Sequence, residues 1–487
     1  MLTILSRSTR TAVTEAVVAS LVIVGLGVSA CRPSDVLSVP PPIGVIGSTT
    51  LQNRSGAESE LTGAMAQLFQ GITGSYGVVE FSGLLTDEFG WSWYSGFAGD
   101  ANIDARITTV TGPATGYNEA GDAPLSTILT ARSSLLLAVV GLQQYEPASG
   151  QSKVGEAYAL VGYAELVMAE DYCAGVPLSV VMPGGGIQYG VPLTTDSLLG
   201  MAEAHFDSAL AHAVGNDTVV SLASVGLGRT RLDRGHFALA AAAVISVPTG
   251  FVYNTVGSTD ATNGIQNLYE SQMPVNQGCG AFNMSDREGE NGLNFVSARD
   301  PRVVIDSTVQ QTCDGGTWYY PAKFGNPSQY VSLATGVEAR LIGAEAALQS
   351  GGGATAVSDL NALRATAPTT YLQLDSAMSA MKTDSIGVDS LHPTQDQAVD
   401  ILFRERAFWL YGTGTRQGDL RRLIRQYGRD QSTVFPTGPF ANGNNPNLQS
   451  PLPLYGTDVS FTLPTAASGS KTSNPNYKGC LASPSAG

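Results

Sequence analysis

The chain has 487 residues, 43% of them hydrophobic and only 14% charged, which excludes a largely disordered protein and supplies apolar material for an extended core. Lys and Arg number 26 against 41 Asp and Glu; the net charge of -15, with no broad basic stretch, argues against nucleic-acid binding. The 56 Gly and 25 Pro point to long, loop-rich connections rather than a low-complexity polymer.

Residues 1–30 read as a signal peptide. Arg7 and Arg10 lead into an apolar run from Ala16 to Ala30, which is short for a membrane span and ends in small residues rather than a basic stop. Val28, Ser29 and Ala30 directly before Cys31 resemble the lipobox of bacterial lipoproteins, so Cys31 is expected to become a lipid-bearing first residue. Acyl chains there would hold a soluble domain at a membrane, each buried methylene contributing about 0.8 kcal/mol. The alternative is a plain secretory signal with Cys31 in a disulfide. Residues 31–56, with the run Pro40, Pro41, Pro42, read as an extended spacer.

Helical periodicity begins at Leu61–Ile72. A longer apolar helix, Leu125–Leu142, follows the Asp122-Ala123-Pro124 start signal, and Val154–Tyr172 is expected to pack on it as a hairpin. Thr195-Asp196 caps Ser197–Val214, and Arg231–Val247 adds an Ala-rich helix ended by Pro248. Small residues such as Gly155, Gly162 and Ala240 allow the close approach of stacked helix hairpins. From 250 to 329 the period disappears, and short strands and turns of the kind that carry binding are expected. Helices resume at Val331–Leu348 and Ala354–Arg364, and the strongest pair is Gln395–Leu410 with Arg416–Tyr427. The tail beyond Phe435 is expected to wrap the helices as extended chain.

Four cysteines remain after Cys31: Cys173, Cys279, Cys313 and Cys480. Export makes pairing plausible and three connectivities are open; Cys279 with Cys313 is the preferred pair, because both lie in the Gly-rich middle region. No pair has the spacing of a zinc site, and His205 and His212, seven apart, are too distant for joint ligation, so no metal and no cofactor are expected. Asp100-Ala-Asn102-Ile-Asp104 alternates oxygen ligands as a calcium loop does, but Ala105 and Thr111 stand where the glycine and closing glutamate belong, and a polar helix start or turn is the simpler account. Gly412, Gly414 and Gly418 lack the spacing and the preceding strand of a phosphate loop and read as a turn between helices.

Two aromatic groups are candidate ligand platforms, because a flat apolar face with a polar tip suits sugar rings. Trp91, Trp93 and Tyr94 form the first, in a Gly/Ser-rich loop flanked by Phe89 and Phe97; Trp318, with Tyr319 and Tyr320, marks the second. Packing under a loop is the competing role for both. Asp87 and Glu88 beside Trp91 admit a carboxylate pair for glycoside hydrolysis, against the commoner role of solvated loop acids. On the helix at 395–410, Ala398, Leu402, Glu405 and Trp409 share a stripe. Glu405 is therefore expected to be buried and to need a cation, with Arg416 or Arg421 across the turn as candidates.

Several motifs stand in the order found in the RagB/SusD family of outer-membrane nutrient-uptake lipoproteins. They are the Cys31-to-Pro40 start, Asp300-Pro301-Arg302, Tyr320-Pro-Ala-Lys323-Phe, and Glu338-Ala-Arg-Leu-Ile-Gly-Ala-Glu345-Ala with Asp359-Leu-Asn361-Ala-Leu-Arg364. Arg404-Glu-Arg-Ala-Phe-Trp-Leu-Tyr-Gly-Thr-Gly414-Thr-Arg416-Gln-Gly-Asp419-Leu-Arg-Arg422 resembles the family's C-terminal helix pair, and Phe461-Thr-Leu-Pro464 with Asn474-Pro475-Asn476 resembles its terminal segment. Thr413 departs from the pattern, standing where many relatives carry a glutamate, which puts a local ion pair in doubt.

The resemblance implies a mostly α fold: a tetratricopeptide-like helix-hairpin scaffold with a loop-rich irregular subdomain. The domain would span 57–487, with hairpins at about 57–248 and 331–430, the ligand-side region at about 250–329 and an extended tail at 431–487. It further implies a protein on the outer membrane, at the cell surface and touching the bilayer only through its anchor. Such a protein captures an oligosaccharide or peptide for a SusC-like TonB-dependent β-barrel porter and catalyses nothing. An exported glycoside hydrolase using Asp87 or Glu88, and a helical-repeat adaptor that binds only protein, are the alternatives.

Overall fold

The computed structural model of the protein describes residues 53–92, 98–108, 119–182, 186–256, 279–280, 282–306, 311–312, 316–326, 328–366, 393–440, 454–463 and 474–482. The signal, Cys31 and most of the spacer lie outside these residues, as do Trp93, Tyr94 and Cys313.

The fold is mostly α. The first helix, α1 (Arg54–Thr73), starts at Asn53, whose side chain accepts from Gly56 N. After α2 (Val78–Leu85), β1 (Phe89–Trp91) and α3 (Ala98–Asp104) come the expected hairpin helices α4 (Glu119–Tyr145) and α5 (Gln151–Asp171). The small ribbon of β2 (Val180–Val181) and β3 (Ile187–Gln188) leads to α6 (Thr195–His212), capped by Thr194 onto Ser197 N. Next come α7 (Asp217–Asp233) and α8 (Phe237–Val244).

Each helix from α4 to α8 packs on its sequence neighbour, and α1 packs on α4, so the chain builds a layered stack of antiparallel helices. Gly162 of α5 and Gly226 of α7 both face the ring of Phe206 on α6, where a Cβ at either position would overlap the ring. The small residues therefore set the layer spacing, as their sequence positions suggest. By length and composition α4 is apolar enough to cross a membrane over Ala123–Tyr145. Its apolar side instead packs against α1 and α5, and Arg132 within it forms a buried ion pair with Glu165 at 2.7 Å.

The expected helix at 231–247 is corrected to two. Asn216 caps α7 through Val219 N, and Gly235, with φ of 74°, turns the chain before α8. The sequence hides α7 because Thr218, Val219 and Val220 are β-branched and two glycines interrupt it. Those glycines serve packing, since Gly228 lies against Val244 of α8.

The irregular region holds short strands, as expected: β4 (Val252–Asn254), β5 (Cys279–Gly280), β6 (Phe282–Met284), β7 (Ile305–Asp306), β8 (Gln311–Thr312) and β9 (Tyr320–Pro321). The segment read as helical from Val331 begins as β10 (Ser332–Thr335), which pairs antiparallel with β4. Thr335 then caps α9 (Gly336–Gln349) through Glu338 N. α9 packs on α8 and continues the stack through α10 (Gly353–Thr366) to α11 (Gln395–Trp409), whose Thr394 and Gln397 form a capping box. The last helices are α12 (Arg416–Tyr427), ended by Gly428 at φ of 64°, and the single turn α13 (Gln431–Val434). Hydrophobic side chains fill one large core under α1–α8 and the short strands, and a second between α9, α10, α11 and α12.

A disulfide joins Cys173, just past α5, to Cys480 near the C-terminal end. That bond leaves Cys279 and Cys313 as the remaining two of the four. Cys279 stands in β5 opposite Gln311 of β8, two residues before Cys313, whose pairing remains an expectation.

Candidate binding cleft

β1 and β6 pair antiparallel, placing Trp91 opposite Phe282. Because strand side chains alternate, Phe89 and Trp91 point to one face, and both are buried there. Trp91 is 2% exposed and meets Phe282 edge-on at 4.9 Å between ring centres. Trp318 is also 2% exposed, donates Nε1–H to the Phe282 carbonyl at 2.7 Å and stacks on Tyr320. Neither indole offers a face to a ligand. The expected platform role is therefore corrected for Trp91 and Trp318, which form core beneath the loop.

Asp87 and Glu88 are likewise unsuited to hydrolysis. Arg416 binds both oxygens of Asp87, at 2.7 and 2.9 Å, and Leu293 N donates to the same carboxylate at 2.8 Å, with both side chains buried. Glu88 accepts from Gly412 N at 2.8 Å. That amide is aimed by the α11–α12 turn, where Gly412 and Gly414 have φ of 60° and 78°. Burial raises the Glu88 carboxyl to about 7 and lowers the neighbouring Lys323 ammonium to about 8. The Asp100–Asp104 oxygens sit on helix α3, where successive side chains diverge, and Asp104 accepts from Trp91 N at 2.9 Å.

These buried acids give a pH dependence. A carboxyl whose folded-state pKa lies above its unfolded value favours folding while it stays protonated, and that contribution is lost as pH rises through the folded pKa. Glu88 at about 7 and Asp171, raised to about 8 by burial, place the loss between roughly pH 4 and 8. Glu88 alone is expected to account for roughly 3 kcal/mol across that window. Urea titrations at pH 5 and pH 8 should show the wild type weaker at pH 8 and Glu88→Gln with a smaller difference. An equal difference in the two proteins would refute the assignment.

Glu405 is buried on α11 as expected, but its partners are not Arg416 or Arg421. Arg302 binds both its oxygens, at 2.7 and 3.1 Å, and Arg364 of α10 adds a bond at 2.6 Å. Arg416 is held by Asp87, and Arg421 donates to the carbonyls that end α5, those of Ala169, Glu170 and Tyr172. The cross-turn expectation fails because α12 points these arginines toward α5 and α2, while the Asp300-Pro301-Arg302 turn delivers its cation from the irregular region. Around them, Arg406 binds Asp419 at 2.8 and 2.9 Å, and Arg422 joins Asp419 to Glu345. The arginine-rich stretch is thus a buried structural network.

Directly above Arg302 the structure opens. A cleft of about 520 Å³ lies along the β4–β10 ribbon, lined by Asn254, Arg302, Val304, Lys323, Tyr330 and Ser332 among others. Tyr330 is 61% exposed and Val304 51%, so an aromatic ring and an aliphatic side chain stand open at its wall. Ser332 Oγ donates to Asn254 Oδ1 at 3.0 Å across the ribbon, and Gln329 accepts from Gly325 N at 3.0 Å. Chemically this is an aromatic platform beside amide and hydroxyl groups, on a floor of paired charges. Tyr330 was not among the sequence candidates. The one signal for it was an aromatic residue beside Gln329 at the edge of the irregular region.

Residues 338–464 match the family described as the SusD family. Among solved structures, the chain resembles a SusD-like carbohydrate binding protein from Bacteroides vulgatus ATCC 8482, with 14% identity, 76% of this chain and 83% of that one covered, and a TM-score of 0.54. It also resembles surface glycan-binding protein A from Bacteroides uniformis, at 13% identity, 84% and 96% coverage and a TM-score of 0.55. A laminarin binding SusD-like protein matches at 15% identity, 82% and 98% coverage and a TM-score of 0.53. At these identities the likeness is one of fold. No curated protein matches the chain.

Proposed function

We propose, from the premise that the chain is a RagB/SusD-family protein, that it captures an oligosaccharide in the Tyr330 cleft and passes it unchanged to a SusC-like TonB-dependent porter. The observation that carries this reading is the open aromatic face of Tyr330 beside neutral polar groups, while the carboxylates considered for hydrolysis are buried and bonded. The sequence before residue 32 supports attachment through a lipid on Cys31, and placement at the outer membrane on the cell surface is proposed from the family alone. The glycan-binding proteins that share the fold support the ligand class, and the porter is proposed from the family alone.

Calorimetry of the mature chain against a panel of oligosaccharides tests the reading. Tyr330→Ala, at a largely exposed position, is expected to leave the fold intact by circular dichroism. It should weaken binding about tenfold or more through loss of stacking. Unchanged affinity in that variant would remove the cleft from consideration, and release of shorter sugars would favour the hydrolase.

A further inference from the structure

We infer that the cleft selects neutral sugars over carboxylated ones, an inference that rests on the capture reading and narrows its ligand class. Two cations line the cleft among the described residues, Arg302 and Lys323, and both are occupied from within the protein. Arg302 donates Nε and Nη2 to Asp300 at 2.8 and 2.7 Å, and Nη1 and Nη2 to Glu405 at 2.7 and 3.1 Å. The rings of Phe408 and Trp409 also lie 5.3 and 5.2 Å from its guanidinium carbon. Arg364 also pairs with Glu405, so the two cations Arg302 and Arg364 balance the two carboxylates Asp300 and Glu405 and the group is electrically neutral. Lys323 donates its ammonium to the carbonyl of Tyr411, itself a residue of the cleft lining, with Glu88 nearby.

A ligand entering the cleft therefore meets the amides of Asn254 and Gln329, the hydroxyl of Ser332 and the ring of Tyr330, while the two cations among the described lining residues each hold a protein partner. Sugar hydroxyls can exchange their water bonds for such groups at little cost. A uronate or sialate carboxylate would lose its hydration without gaining a cation that is not already paired. The chain's net charge of -15 acts in the same direction at long range.

The test titrates the full mature chain with neutral gluco-, manno- and galacto-oligosaccharides and with size-matched oligogalacturonates and sialylated oligosaccharides, at low and high salt. A neutral member is expected to bind, with affinity that changes little with salt and falls about tenfold or more in Tyr330→Ala. Its carboxylated counterparts should bind about a hundredfold more weakly. Val304→Arg, which adds an unpaired cation at an exposed position of the wall, should strengthen carboxylated ligands by about tenfold or more. A carboxylated glycan held as tightly as a neutral one by the wild type, dependent on Tyr330 and sensitive to salt, overturns the selectivity and leaves capture standing. Binding of neutral glycans that ignores Tyr330→Ala, or no binding from either class, overturns the cleft assignment and the selectivity together.

Discussion

Arg422→Ala is expected to cost about 3–5 kcal/mol of folding stability, read as a lower denaturant midpoint, and to abolish soluble expression if the margin is smaller than that. Arg422 sits fully buried on α12 and joins three acids from three helices: Glu345 of α9 at 3.1 Å, Asp419 of its own helix at 2.7 Å and Asp233 of α7 at 3.3 Å. Its guanidinium also lies 5.2 Å from the ring of Phe403. Truncation leaves Asp419 to Arg406 but takes from Glu345 its nearest cation, with Tyr427 OH at 2.7 Å as the closest remaining donor. The cost comes from stranding a buried charge, so Arg422→Met combined with Glu345→Leu should recover part of the loss. Arg429 makes the instructive contrast: it pairs with Asp396 and Asp400 at the surface, and Arg429→Ala should change stability by under about 1 kcal/mol. Equal effects of Arg422→Ala and Arg429→Ala would show that burial does not set the energetics of this network.

The same network marks how far the sequence could be read. The helices at 395–409 and 416–427 were legible almost to the residue, because a Thr394–Gln397 cap, a regular apolar stripe and the Gly412–Gly414 turn all act locally. Glu405 was legible as buried, since helical period fixes its face. Its partner was not: Arg302 is 103 residues away, and nothing in the spacing of either element encodes that encounter. The aromatic platforms failed for a related reason. A tryptophan in a Gly-rich loop looks the same whether its face opens to solvent or, as for Trp91, closes on Phe282 of a strand far along the chain. Tyr330 drew no notice because a single tyrosine before a short strand is unremarkable until the fold leaves it open. Periodicity reports which side of an element is buried, whereas a binding cleft depends on which elements meet.

Cutting the bond between Cys173 and Cys480, as Cys173→Ala with Cys480→Ala, is expected to lower stability by roughly 2–5 kcal/mol. The two residues are 307 apart, so the bond closes a very long loop in the unfolded chain and removes much of its freedom. In the folded state the bond fastens the C-terminal segment to the end of α5, beside main-chain bonds that need no cysteine. Phe461 N donates to Asp171 O at 2.8 Å, Cys173 N to Phe461 O at 2.9 Å and Leu481 N to Ala174 O at 2.8 Å, while Phe461 packs edge-on against Tyr172. Asn474 extends the attachment by donating to Gly190 O at 2.9 Å, next to the β2–β3 ribbon. These contacts should keep the native fold in place without the disulfide, so the variant is expected to remain helical by circular dichroism. It should unfold at lower denaturant and be cut more readily by protease within 474–482. Both effects are needed: faster cleavage with an unchanged unfolding midpoint would mean that the bond holds only the tail and constrains nothing in the unfolded chain.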